Sequence, residues 1–214
     1  MRVIAVPVKS LERAKGRLAG MLSPMERAAL TLAMLEDVLE ACRAMPGWQI
    51  WVISPDDSVL EAAARQRARP VEEEDPGLLA AVAQVEEEAA RAEALAVVLG
   101  DLPMLTPGAL AKVLHTLGPV VAAPSASDAG TNVLLRRPPA VIPARFGTDS
   151  FRKHLETADQ LGVPFAEVRA PELAFDLDRP EDIPPLLGWT AGRRTRAICL
   201  EMGIADRLPV QRQA

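Results

Sequence analysis

The strongest constraint on this chain is a rhythm: short apolar runs separated by longer amphipathic stretches. "VIAVPV" (3–8), "QIWVIS" (49–54), "ALAVVLGD" (94–101) and "PVVAAPS" (119–125) are apolar over nearly their whole length. Runs of that length, apolar on both faces, suit strands covered on both sides. "TNVLLRR", "PFAEVR" and "LAFDLD" read as further strands. Between them lie helices with recognisable starts. In "SPMERAALTLAMLEDVLEACRAM", Ser23 caps, Pro24 takes the first helical position and Glu26 completes a capping box. "TPGALAKVLHTL" starts the same way at Thr106 and Pro107, and "DSFRKHLETADQLG" closes at Gly162. "DSVLEAAARQRA" and "GLLAAVAQVEEEAARA" are helices too, Glu86–Glu88 being a solvated face. Strands alternating with helices predict an α/β three-layer sandwich with a mostly parallel central sheet. The 214 residues fit one domain, with a helical tail from about residue 184. Ligands of such sheets bind beyond the carboxyl ends of the strands.

Composition narrows the partners. A net charge of −5 and a pI near 5.2 argue against a duplex or a membrane surface as partner. No apolar run approaches a membrane span or a signal peptide, so a cytoplasmic protein is expected. Cys42 and Cys199 lack metal-ligand spacing and read as reduced core thiols. The tail, with Trp189 and the Arg193–Arg196 cluster, leaves open whether it packs on its own domain or forms a homodimer.

Four stretches fall where ligands bind. "VPVKSLERAKGRL" follows the first strand with Lys9, Arg13, Lys15 and Arg17, a cation set able to hold a polyphosphate or else a solvated turn. It is neither a Walker A loop nor a GxGxxG turn. "VVLGDLPMLTP" ends a strand in Asp101, either a cation ligand or an Asx turn. "AFDLDRPED" sets Asp176 and Asp178 two apart, hence on one face of a strand. The plainer alternative is capping of the following helix by Asp178 or Asp182, which accounts for Asp178 and leaves Asp176 unexplained. "SDAGTNVLLRRPP" and "IPARFGTDSFRKHL" place Gly130-Thr131-Asn132 before a strand and Gly147–Ser150, with Arg145 nearby, before a helix. A helix start with free N–H groups and hydroxyls can take an anion, and simple capping is the plainer alternative. His115 and His154, inside helical segments without partners in sequence, read as surface or interfacial residues. No nucleophile elbow or Cys–His pairing suggests covalent catalysis.

Taken in order, "VPVKSLERAKGRL", "LSPMERAALTLAMLEDVL", "GDLPMLTP", "GTNVLLRRPP", "RFGTDSFRKHL" and "LAFDLDRPEDI" resemble the phospholactate/phosphoenolpyruvate guanylyltransferases of deazaflavin coenzyme F-420 biosynthesis. The resemblance implies a fold of the nucleotide-diphospho-sugar transferase type. It implies transfer of GMP from GTP to the phosphate of a three-carbon acid, with release of pyrophosphate. Magnesium would be held by Asp101, Asp176 and Asp178. The acceptor would meet Thr131, Gly147 and Ser150, with Asn132 and Arg145 beside them. Lys9, Lys15 and Arg17 would bind the triphosphate and act on the leaving group, and Gly77 would lie against the nucleotide. One departure is visible: where the family often has Gly-Leu-Asn, this chain has Gly77-Leu78-Leu79. Another phosphorylated acceptor on the same fold, or a GTP- and magnesium-binding sensor, remains the alternative at this stage.

Overall fold

The computed structural model describes residues 1–208. Its centre is a sheet of seven strands: β1 (Arg2–Pro7), β2 (Trp48–Ser54), β3 (Arg69–Glu72), β4 (Ala94–Val98), β5 (Val120–Pro124), β6 (Thr131–Arg136) and β7 (Phe165–Glu167). Their spatial order is β3-β2-β1-β4-β6-β5-β7. All neighbours are parallel except β6, which runs antiparallel to both β4 and β5. The helices are α1 (Pro24–Arg43), α2 (Asp57–Arg65), α3 (Leu78–Glu88), α4 (Pro107–His115), α5 (Ser150–Gln160), α6 (Pro171–Ala174), α7 (Ile183–Gly188) and α8 (Arg193–Glu201).

Strand side chains alternate between two cores, as the twofold period requires. Ile4, Val6, Val52, Ala96, Val98 and Val121 pack under α1, α2 and α4. Val3, Ala5, Trp51, Leu95, Val97 and Leu134 pack under α3 and α5. This is the expected sandwich. The caps also form as read. Ser23 accepts from the Glu26 amide while Glu26 accepts from the Ser23 amide, and Thr106 accepts from the Ala109 amide.

Two elements differ from the sequence reading. "RPVE" forms the edge strand β3; its proline is tolerated because only one side of an edge strand is paired. "LAFDLD" is no strand. Pro171 opens the short helix α6, and residues 175–178 join no sheet ladder. Proline at a first helical position favours that outcome.

The tail packs on its own domain. Leu186, Cys199 and Ile204 share a third core with Leu30 and Met34 of α1 and with Leu18 and Leu177. The buried Asp37 carboxylate accepts hydrogen bonds from the amides of Arg194 and Thr195 and from the Thr195 hydroxyl, so it caps α8 from a distance. Among the described residues no helix is long and apolar enough to cross a membrane.

Candidate active site

The carboxyl ends of β1, β4 and β5 meet at one edge of the sheet. Because β6 is antiparallel, its first residue, Thr131, starts at the same edge. Gly100 makes the crowding tolerable: a Cβ there would lie 2.9 Å from the Val8 side chain.

One side of this edge is charged. Lys15 has a left-handed backbone, φ 52°, and a side chain only 6% exposed. That turn drives its ammonium into the site, where Nζ donates to Asp101 Oδ2 at 2.9 Å and lies 3.7 Å from Asp178 Oδ1. Arg17 pairs with the other oxygen of Asp178. Leu177 N donates to the Asp101 carbonyl at 3.2 Å, which pins residues 176–178 beside Asp101. Asp176 accepts from the hydroxyls of Ser125, at 2.8 Å, and Ser127, at 3.0 Å. Burial holds the Asp176 carboxyl above its usual range; the Ser125 hydrogen bond opposes this, and the neighbouring Asp101 charge adds to it. Of the two capping candidates it is Asp182, not Asp178, that serves this turn. Asp182 takes that role by accepting from the amides of Asp178 and Arg179.

Among the described residues no three His, Cys, Asp or Glu side chains stand close enough to enclose a metal ion as they are. Lys15 lies between Asp101 and Asp178 instead. Even so, Asp101 Oδ1 is buried with no hydrogen-bond partner, and Asp176 is repelled by Asp101. Both features fit an additional cation, and an oxygen-only donor set suits magnesium. Lys9, two residues past the end of β1, is exposed.

The other side is neutral and buried. Ser150 Oγ and Thr131 Oγ1 are 3.1 Å apart. Thr131 Oγ1 is 3.0 Å from Nδ1 of His154, and the Arg145 amide donates to His154 Nε2 at 2.8 Å. His154 is therefore not a surface residue; it is fully buried, with Phe146 edge-on at 5.3 Å. Burial, reinforced by the charges of Arg136 and Arg145, pushes its pKa down to about 4. A signal for this was present: Ser150, His154 and Ala158 recur every four residues and are all buried. Two of the free amides expected at the start of α5 are already bonded. Ser150 N donates to Gly147 O and Phe151 N to Ala129 O. Gly147 is exposed, with a φ of 116° that favours glycine, and Arg145 is exposed beside it. Asn132 turns away, its amide donating to the Leu173 carbonyl, and so ties β6 to α6.

Gly77 starts α3 with φ 120°, and its amide donates to the Glu73 carboxylate. Gln84 clasps the same loop, donating to Glu72 O and accepting from Glu74 N. Leu79 projects outward, 51% exposed. Ser125, Ser127, Gln84 and His154 are the site-forming residues that sequence reasoning missed. The serines follow a strand's carboxyl end, which could have marked them.

Comparison with known proteins follows the same lines. Residues 1–208 match the model of the family described as "Guanylyl transferase CofC like". The phosphoenolpyruvate guanylyltransferase of Rubrobacter xylanophilus is 41% identical over 87% of this chain and 94% of that protein. The 3-phospho-D-glycerate guanylyltransferase of Phenylobacterium zucineum is 36% identical over 88% of this chain and 91% of that protein. In three dimensions the chain superposes on a Desulfovibrio desulfuricans G20 protein named for the nucleotide-diphospho-sugar transferases. The TM-score is 0.77 at 17% identity, over 97% of this chain and 99% of that one, a likeness of fold. With its whole described length matched and its motifs in order, the chain belongs to the CofC-like guanylyl transferase family.

Proposed function

We propose that this protein transfers GMP from GTP to the phosphate of a three-carbon acid, phosphoenolpyruvate first among them, in coenzyme F-420 biosynthesis. The observation that carries the reading is the ion-paired cluster of Lys15, Arg17, Asp101 and Asp178 at one strand edge, with Asp176 near enough to feel the Asp101 charge. The relatives named above support phosphoenolpyruvate over 3-phosphoglycerate, the former at the higher identity.

An oxygen of the acceptor phosphate attacks the α-phosphorus of GTP in line. The bond from that phosphorus to the oxygen bridging the β-phosphate breaks, and pyrophosphate leaves with the electron pair. The attacking oxygen is already anionic, so no general base is required. The difficulty is charge. Lys9, Lys15 and Arg17 offset the leaving pyrophosphate, Lys15 and Arg17 exchanging their carboxylate partners for phosphate oxygens. Asp101, Asp176 and Asp178 would hold magnesium, which supplies electrostatic alignment of nucleotide and acceptor phosphates. Thr131, Ser150 and the Gly147 turn receive the acid, with Arg145 at its rim, and the Gly77 loop lies against the nucleotide. The reaction needs no nucleic acid or membrane, and the cytoplasm is its expected setting.

The test is direct. Purified protein with GTP, magnesium chloride and, in separate reactions, phosphoenolpyruvate, 2-phospholactate or 3-phosphoglycerate should release pyrophosphate, fastest with phosphoenolpyruvate. Equal release from ATP and CTP would remove guanine from the reading. No release with any of the acids would remove the acceptor class.

A further inference from the structure

His154 takes no part in the mechanism above, yet it is fully buried, and both of its ring nitrogens are engaged within the acceptor side. A backbone N–H can only donate, so the Arg145 amide requires an unprotonated Nε2. The proton of the neutral ring then sits on Nδ1 and donates to Thr131 Oγ1 at 3.0 Å. Thr131 and Ser150 share one hydrogen bond, at 3.1 Å. Their hydroxyls carry two protons. One lies between the oxygens, in whichever sense, and the other has no partner within the trio. The opposite tautomer would reverse this: Thr131 would donate to the ring, Ser150 to Thr131, and no proton would be left over. The Ser150 and Phe151 amides are already bonded to Gly147 O and Ala129 O, so the hydroxyl pair adds a donor at this helix start that those two amides cannot supply.

We infer that His154 is a positioning residue, which orders these protons so that the Thr131–Ser150 pair presents one O–H to an anionic oxygen of the phosphorylated acid. The inference rests on the reading of this side as the acceptor site. A neutral ring at neutral pH agrees with its pKa of about 4. The proton order also carries selectivity: a spare O–H favours carboxylate or phosphate oxygen over a group that can only donate.

The protein has two histidines, so nitrogen-15 NMR of histidine-labelled protein resolves them, with His115→Gln to assign the pair. At neutral pH His154 should show a protonated Nδ1 and a bare Nε2, and addition of phosphoenolpyruvate should shift the Nδ1 signal. A protonated Nε2, or no shift at saturating phosphoenolpyruvate, overturns the inference whether or not the protein turns over. In steady-state assays, His154→Gln should raise KM for phosphoenolpyruvate roughly ten- to hundredfold, with KM for GTP within about twofold. His154→Asn, whose amide can stand in for the Nδ1 donor, should recover much of that loss. Equal rises in both KM values, or an Asn variant no better than Gln, would reduce His154 to a structural role. A wild-type protein that uses none of the acids, yet has the expected tautomer and the shift, would refute the transfer reaction and leave the proton order standing.

Discussion

The two sides of the strand edge solve the problem of binding phosphorylated molecules differently. On the charged side, Lys15, Arg17, Asp101 and Asp178 neutralise one another, Lys15 buried, the two carboxylates part-buried and Arg17 open to water. The Arg17 pair can trade partners readily, because exposed ion pairs are weak, and a polyphosphate offers both cations an equivalent partner. On the neutral side, Thr131, Ser150 and His154 are buried and held in one hydrogen-bonded order. Burial there makes an unmet hydrogen bond expensive, so the arrangement stays set before the ligand arrives. The contrast teaches a division of labour. Under the proposed function, exchangeable charge would receive the highly charged nucleotide and fixed neutral donors would orient the small acid.

The largest expected effect lies on the charged side. Asp176→Asn should lower kcat roughly a hundred- to a thousandfold in the pyrophosphate assay, since its carboxylate opposes the charge of a bound cation. It should also raise Tm near neutral pH. The carboxyl is held above its usual range in the folded chain, so the folded state binds more protons and loses stability as pH rises past the ordinary aspartate range; asparagine removes that loss. Retained turnover would remove Asp176 from the mechanism, and a lower Tm would remove the account of its burial.

Next comes Lys15→Ala. It leaves Asp101 and Asp178 facing each other without their shared cation, so stability should fall by about 1–3 kcal/mol in denaturant melts. Added magnesium should restore part of that loss if the carboxylates are cation ligands. A magnesium-independent melt would blur the contrast between the two sides.

The neutral side should be read best by pH. The His154 pKa is lowered from 6.5 to about 4, so its contribution is fully present above pH 6.5 and is lost as pH falls toward 4. A stability-against-pH curve should drop by up to about 3 kcal/mol across that window, and the drop should flatten in His154→Gln. Persistence of the same drop in the variant would assign it to other groups.

Arg17→Ala is the mildest. Its guanidinium is 60% exposed, and the loss of its pair with Asp178 should cost under about 1 kcal/mol of stability. A rise in KM for GTP of a few-fold, reduced at high salt, should accompany it. A larger effect on the acid than on GTP would move Arg17 to the other side of the site.

Much of this was legible before folding. The apolar runs marked the central strands, and Ser23, Thr106 and Gly162 punctuated the helices as local chemistry predicts. Asp101 stood out as a carboxylate just past an apolar strand. His154 did not, although its fourfold spacing with Ser150 and Ala158 was in view, because a lone polar residue on a helix is usually solvated. The local reading of Asp176 and Asp178 was wrong: no strand holds them on one face. Their position comes from α6 and from one hydrogen bond to the Asp101 carbonyl.

By itself, then, the order of residues determined the elements, their caps and the chemical groups on hand, since periodicity and capping act over a few residues. Tertiary structure alone decided which groups meet. Lys15 and Asp101 are 86 residues apart, and Arg17 and Asp178 are 161 apart. The antiparallel run of β6 carries Thr131 to the edge where β4 and β5 end, within reach of His154 on α5. No local pattern encodes such meetings. They follow from strand order and direction, which the packing of two cores against one sheet selects as a whole.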